Sequence, residues 1–297
     1  MENTRAKTTR NSLILLLTAT IWGMAFVSQS KGMDYMHPFT FNGVRSLIGA
    51  AGILVYILIS RKIAGDKAAK LDWKLNVRAG LLCGIFLTIA STLQQFGIKY
   101  TSVGKAGFIT TLYIIFVPMF GVFLKKKVAP VVWAAAGMAA VGMYLLCMTE
   151  SLRLGAGDIM VFLCAIAFAI QIMTVDHYAA RIDGAVVSCI QFTVCGVVCC
   201  IGALIWGQPT FGQIQEGLGA LLYAGVLSCG VGYTLQIVGQ KGLNPTVAAL
   251  IMSLESVIAT ISGWIAYKIG FLSTDQTLTP RQIAGCVIVF ALSLIHI

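Results

Sequence analysis

The chain of 297 residues is poor in charge. Lys and Arg number 21, Asp and Glu 11, and together they make up 11% of the residues against roughly 25% in an ordinary soluble domain. Hydrophobic residues reach 58%. So few charges cannot cover the surface of a water-soluble fold, whereas a bilayer stabilises helices that are apolar on nearly every side. No HExxH, P-loop or Ser-His-Asp grouping occurs, no acidic pair falls within one apolar tract, and His37 and His177 sit at tract edges; this argues against an enzyme. The nine cysteines form no CxxC pair and lie inside apolar tracts, where they read as small packing residues. No metal and no cofactor is expected.

The charges leave uncharged tracts at 11–30, 46–60, 79–98, 106–124, 128–149, 159–175, 184–215, 217–240 and 282–297. Extending the second back through Arg45 to Pro38, removing a turn around Pro209 from the seventh, and joining 242–254 to 256–267 across Glu255 gives ten spans. Each approaches the ~20 residues that cross a ~30 Å hydrocarbon layer as a helix. Arg5, Lys7 and Arg10 before the first tract also suit a secretory signal, but the apolar stretch is long, lacks a small-x-small cleavage site and carries Trp22, so it reads as a retained first helix. With the N-terminus in the cytoplasm, fourteen Lys and Arg fall inside and six outside, which favours an N-in, C-in arrangement. The basic balance is then a topology signal and an attraction to anionic lipid. Lys125 to Lys127 have no aromatic or groove-binding company, so nucleic acid is not expected as a partner.

Compared with itself at an offset of 142, the chain brings Thr92-Leu93-Gln94, Gly97 and Lys99 onto Thr234-Leu235-Gln236, Gly239 and Lys241. Ala106, Ile109, Leu112 and Gly121 meet Ala248, Ile251, Leu254 and Gly263, for nine identities in thirty positions. The chain reads as a duplicated five-helix unit. Five is odd, so the second copy enters the membrane from the opposite face, the inverted-repeat architecture of alternating-access transporters. The expected organisation is a cytoplasmic tail over 1–11, a first repeat over 12–148 and a second over 156–291. Residues 292–297, Leu-Ser-Leu-Ile-His-Ile, read as a non-native end derived from a sequencing adapter.

Several runs then become recognisable: Ile21-Trp22-Gly23-x-Ala25-Phe26-Val27, Pro38-Phe39-Thr40-Phe41-Asn42-Gly43-x-Arg45, Leu93-Gln94-Gln95-x-Gly97, Gly104 to Tyr113, Tyr233-Thr234-Leu235-Gln236 and Ser253-Leu254-Glu255. In this order they resemble the EamA family of the drug/metabolite transporter superfamily, in its bacterial ten-helix form. The resemblance implies an all-α integral membrane protein of ten helices in two inverted units, with a central cavity walled by helices 1–4 and 6–9. It also implies movement of small metabolites, commonly amino acids, often outward.

Two ionisable groups lie well inside spans. Glu255 is eleven residues past Asn244, about 16 Å along a helix, near the midplane. A carboxylate there costs roughly 2.5–3.5 kcal/mol, so it faces a wet cavity, is paired, or is protonated. It reads either as a substrate-ammonium partner or proton-coupling group, or as a structural carboxyl bonded to a neighbouring helix. Arg45 shares a face with Asn42 and Gly49, as a polar stripe of an outer vestibule, or as a snorkelling side chain paired with Asp34. Gln94 and Gln236, at equivalent places in the two copies, need polar partners in hydrocarbon and touch either substrate or a neighbouring helix. Tyr233 stands beside Gln236, and Tyr113 pairs with Glu255 under the offset. Trp22, Tyr113 and Gln191 are candidate cavity walls, and Pro118 a candidate hinge helped by Gly121.

The expected function is a secondary transporter, an exporter of small polar metabolites such as amino acids or related amines across the bacterial plasma membrane. The partners are a small-molecule solute and membrane lipid, with proton coupling and a homodimer as open alternatives. A facilitator of the same fold and a non-transporting sensor or scaffold are the competing readings.

Overall fold

The computed structural model describes residues 2–65, 71–124 and 155–295 together with scattered positions between 130 and 145; the side chains of 2–6 and 289–295 are not described. The fifth expected span, Lys67, Lys70, Lys125 to Lys127, Cys147 and the last two residues of the adapter-like end lie wholly or largely outside the described residues. Among the described residues every regular element is helical. In chain order they are α1 (Glu2–Gly32), α2 (Pro38–Ala64), α3 (Trp73–Ile98), α4 (Val103–Thr111), α5 (Tyr113–Phe123), α6 (Ala156–Ala179) and α7 (Gly184–Gly202). Then follow α8 (Phe211–Glu216), α9 (Leu218–Leu222), α10 (Tyr233–Gly239), α11 (Pro245–Met252), α12 (Leu254–Lys268) and α13 (Pro280–Ile295).

Eight helical stretches are long and apolar enough to cross a bilayer: Lys7–Gly32, Pro38–Ala64, Trp73–Ile98, Val103–Phe123, Ala156–Ala179, Gly184–Gly207, Leu218–Gly239 and Pro245–Lys268. They correspond to expected spans one to four and six to nine. The tenth, α13, has 16 residues. Helix α1 runs from Glu2 through the segment expected as the tail, because neither glycine nor proline interrupts the chain before Gly23.

The helix starts follow from local chemistry. The side chains of Asp72, Ser102, Asp183 and Asn244 each accept a backbone N–H of the first turn that follows, and Pro38, Pro245 and Pro280 open their helices where a missing N–H costs nothing. Gln208, with φ 43°, ends the seventh span just before Pro209.

Two spans are interrupted in the middle, and at equivalent places. The fourth breaks at Leu112 between α4 and α5, and the ninth breaks at Ser253 between α11 and α12. In both, a hydroxyl bonds back to the carbonyl three residues earlier: Thr111 Oγ1 to Phe108 O at 2.8 Å and Ser253 Oγ to Leu250 O at 2.7 Å. Those two bonds are related by the repeat offset of 142. Hydroxyl back-bonding of this kind bends helices. Pro118, the expected hinge, lies inside α5 with helix on both sides, so the discontinuity sits six residues before it. The eighth span holds a second irregularity, a ten-residue π-helical stretch at Tyr223–Gly232, where the first repeat has regular α-helix.

Packing interlocks the repeats. Helix α3 lies against α6 and α7, and its counterpart, the eighth span, lies against α1 and α2; α1 packs on α12, and its counterpart α6 packs on α5. The list of neighbours is therefore unchanged when the repeats are exchanged. The closest approaches use glycine: a Cβ on Gly97 would fall 2.7 Å from Gly157 O, and one on Gly239 would fall 2.8 Å from the Leu15 side chain. Small residues at helix crossings let backbones approach where no hydrophobic effect drives association. Gly97→Val should destabilise the protein by about 1–3 kcal/mol or prevent its recovery as a monodisperse species, whereas Gly52→Val, at a site with open space, should not; thermal unfolding in detergent measures both.

Candidate functional site

Spans one to four and six to nine enclose a central cavity. Seven of the residues singled out in the sequence line it: Trp22, Arg45, Gln94, Tyr113, Tyr233, Gln236 and Glu255. Asn42 and Gln191 do not. Asn42 Nδ2 donates to Ser91 O at 2.9 Å and so ties α2 to α3, while Gln191 is fully buried with neither amide atom bonded.

The two helix breaks place the cavity's acid. Tyr113 opens α5 and Glu255 is the second residue of α12, and Tyr113 Oη donates to Glu255 Oε1 at 3.1 Å. Tyr113 is 2% exposed and Glu255 3%. The two residues are 142 positions apart, which is the repeat offset, so each is the other's counterpart. Equivalent residues that touch must stand on the axis that exchanges the repeats.

Some polar groups around this pair are matched with one another, while Trp22 Nε1, Gln29 Oε1 and Arg45 Nε have no hydrogen-bond partner. Gln94 Nε2 donates to Thr110 Oγ1 at 3.1 Å, and Gln236 and Gln171 exchange amide bonds of 3.2 and 3.5 Å. Gln94 and Gln236, equivalent in sequence, both face the cavity but take different partners. Tyr233 packs against Trp22 and Phe192, with ring centroids 4.5 and 5.0 Å away. Arg45, 5% exposed, lies with its guanidinium carbon 5.4 Å from the centre of the Phe41 ring. The pairing with Asp34 is not formed, because Asp34 sits outside the span and takes Lys31 at 3.0 Å.

The cavity has a volume of about 30 Å³. Since a water requires ~10–15 Å³, there is room for a water or two and none for a metabolite. Any solute reaches Glu255 only after the walls part.

The two ends of the helix bundle are closed differently. At one end the Asp158 carboxylate accepts from Lys105 Nζ at 2.6 Å, Thr101 Oγ1 at 2.9 Å and Gly155 N at 2.9 Å, joining the α3–α4 turn and α4 to the start of α6. At the other end Asn11 Nδ2 donates to Lys241 O at 2.8 Å, Asp183 N donates to Asn76 Oδ1 at 2.9 Å, and Arg61 approaches Asp183 at 3.9 Å. That second end holds a vestibule of about 620 Å³ lined by Arg61, Arg181, Lys241, Asp72 and Asp183.

Sequence reasoning missed Gln171, Ser46, Ser228 and Phe192 among the lining residues. Gln171 carried a usable signal as the one amide in the tract 159–175. Ser228 did not, because its place depends on the π-helical winding of the eighth span.

The model of the EamA-like transporter family matches residues 10–148 and again 155–295. The chain belongs to the EamA-like transporter family. Its curated relatives include an uncharacterized transporter of Archaeoglobus fulgidus, 27% identical over 281 residues that cover 93% of this chain and 82% of the relative. One of Clostridium kluyveri is 23% identical over 300 residues, covering 96% and 92%. The uncharacterized transporter YwfM of Bacillus subtilis is 27% identical over 257 residues, covering 85% and 84%. A crystal structure of a protein 16% identical superposes with a TM-score of 0.72 over 97% of this chain and 96% of that one, which shows the fold alone. This EamA member is thus a multi-pass membrane protein built of two repeats, with the family and relatives of a transporter rather than an enzyme.

In this EamA protein the Gln171–Gln236 pair should behave as a unit. Gln171→Leu or Gln236→Leu alone leaves a buried amide unpaired and should cost about 1–3 kcal/mol, while the double variant should cost clearly less than the sum. Thermal unfolding of the three variants measures the coupling.

Proposed function

We propose that the protein is a secondary transporter that exports small polar metabolites, such as amino acids or related amines, across the bacterial plasma membrane by alternating access. The observation that carries this reading is the buried carboxyl of Glu255, held by its own repeat counterpart in a cavity too small for any solute. A carboxyl at that depth is expensive unless it is used, and a site this narrow between two repeats admits a solute only if one repeat moves against the other. Ten spans with both termini in the cytoplasm fit the charge bias and the duplication. In that orientation the 620 Å³ vestibule faces the cytoplasm and the Lys105–Asp158 bond closes the outer side. Loading from the cytoplasm follows, which favours export.

A proton is the coupling ion in this reading. Glu255 releases its proton when a cationic group arrives and regains it when the solute has left. The second reading is an uncoupled facilitator, favoured by the Tyr113 bond, which satisfies one carboxyl oxygen structurally.

Flux in proteoliposomes separates the two. Glu255→Gln should lower pH-gradient-driven flux by roughly tenfold or more and flatten its pH dependence, as loss of a charged partner of 1.5–3 kcal/mol requires. Wild-type rates at every pH in that variant would remove Glu255 from the mechanism, and flux indifferent to an uncoupler in the wild-type protein would favour the facilitator.

A further inference from the structure

Three cations stand where helical stretches finish at one end of the bundle: Arg61 in the last turn of α2, Arg181 in the turn after α6, and Lys241 two residues past the end of α10. All three line the 620 Å³ vestibule, together with two acids, Asp72 and Asp183. The acids are already engaged. Asp72 Oδ1 accepts Leu75 N at 3.0 Å and starts α3, while Asp183 Oδ1 accepts Ala185 N and Val186 N at 3.0 and 3.2 Å and starts α7. The other oxygen of Asp183 takes Arg61 at 3.9 Å. Arg181 and Lys241 pair with no carboxylate among the described residues; their side chains donate to the carbonyls of His177 at 3.4 Å and Ile182 at 3.2 Å. The buried amide of Asn76, also on the lining, is satisfied on both atoms by Asp72 O and Asp183 N. With three cations against two carboxylates that cap helices, the vestibule favours an anion.

The rest of the lining runs into the membrane. Tyr56 lies eight residues before the end of α2, and Thr234 seven residues before Lys241, about 12 and 10 Å along their helices. Tyr56, Ile57, Thr234 and Val238 line this inner part, and Tyr56 is 61% exposed. A side chain exposed at that depth on a spanning helix faces hydrocarbon. The vestibule is therefore cationic where it meets the membrane surface and apolar where it reaches the acyl chains. A soluble anion matches the first part alone, whereas an anionic amphiphile matches both. Basic pockets between transmembrane helices hold acidic lipid headgroups by this combination.

We propose that the vestibule is a binding site for an anionic phospholipid, whose phosphodiester sits among Arg61, Arg181 and Lys241 while an acyl chain runs along Tyr56, Ile57 and Val238 into the bilayer. A zwitterionic lipid brings an ammonium group that the engaged acids do not receive. Arg61 belongs to the first repeat and Arg181 and Lys241 to the second, so the headgroup contacts both repeats at that end. The proposal is independent of the transport reading and of the orientation in the membrane.

The full chain, purified in detergent, is unfolded thermally in mixed micelles carrying equal mole fractions of phosphatidylglycerol, phosphatidylethanolamine or phosphatidylcholine, and the lipid retained is counted by native mass spectrometry. A lipid that binds only the folded protein raises its apparent stability. Phosphatidylglycerol should stabilise the protein and be retained, with a preference of roughly tenfold or more over either zwitterionic lipid, as expected for two or three basic side chains at one headgroup. Arg181→Gln with Lys241→Gln should remove that preference. Lys74→Gln with Arg78→Gln, which removes two exposed cations of α3 that do not line the vestibule, should keep it. Val238→Trp, which fills the inner part of the vestibule, should weaken phosphatidylglycerol binding without a change of charge. Glycerophosphoglycerol, the same headgroup without acyl chains, and inorganic phosphate should give no stabilisation at the same concentrations. The proposal falls if a zwitterionic lipid serves equally well. It falls also if the Lys74 and Arg78 variant loses the preference as fully as the vestibule variant, which would make the effect a general attraction of the basic surface. Stabilisation by the chain-free headgroup equal to that by the lipid would make the vestibule a site for soluble anions and overturn the proposal too. Should the Arg181 and Lys241 variant fail to fold, the wild-type lipid series and Val238→Trp still decide.

Discussion

A carboxyl group buried between two halves of one chain needs a partner at the same depth, and here the partner is the tyrosine that occupies its own place in the other half. Tyr113 and Glu255 touch across the junction because both stand at the start of a half-helix, just after the breaks at Leu112 and Ser253. Matched hydroxyl bonds at Thr111 and Ser253 lie directly beside the two breaks, at positions the duplication relates. Moving either half-helix changes the environment of Glu255. The bond is thereby coupled to the relative position of the repeats, which is the coordinate a transporter has to control.

Around this point the repeats have diverged in ways that break the equivalence of the two ends. Lys105 and Asp158 form a tight charged contact at one end, whereas their counterparts under the duplication carry no such pair, and the opposite end is held by amide–carbonyl bonds and opens into the larger vestibule. Gln236 has gained Gln171 as a reciprocal partner where Gln94 is satisfied by a threonine. The eighth span winds as a π-helix where the third is regular, which brings Ser228 and Cys229 to the cavity. The two ends of the duplicated scaffold are thus held by different contacts.

Much of this was legible in the residues because charge and hydrocarbon exclude each other. The gaps between charges located the spans, and the identities at offset 142 put Tyr113 and Glu255 at one depth. Their contact was not legible, since it depends on how closely the fourth and ninth spans cross. Pro118 drew attention as a hinge, and the helix also breaks six residues earlier, at Leu112, where composition gives no sign of it. Asn42, Arg45 and Gly49 share a helical face by spacing, yet that face divides among three neighbours: Asn42 bonds α3, Arg45 reaches the cavity, and Gly49 lies against Cys229 and Gly225. Spacing fixes a direction around the helix, and the partner met in that direction depends on packing.

If alternating access runs through Glu255, the state of its carboxyl governs which end of the molecule is closed. Electron–electron double resonance between spin labels at Tyr100 and Ile159, and separately at Lys62 and Arg181, reads the two ends directly, since all four residues are exposed. Between acid and neutral pH the two distances should change in opposite senses, and Glu255→Gln should hold both at one value across that range. Ends that widen together, or a pH response that persists in Glu255→Gln, would contradict the account.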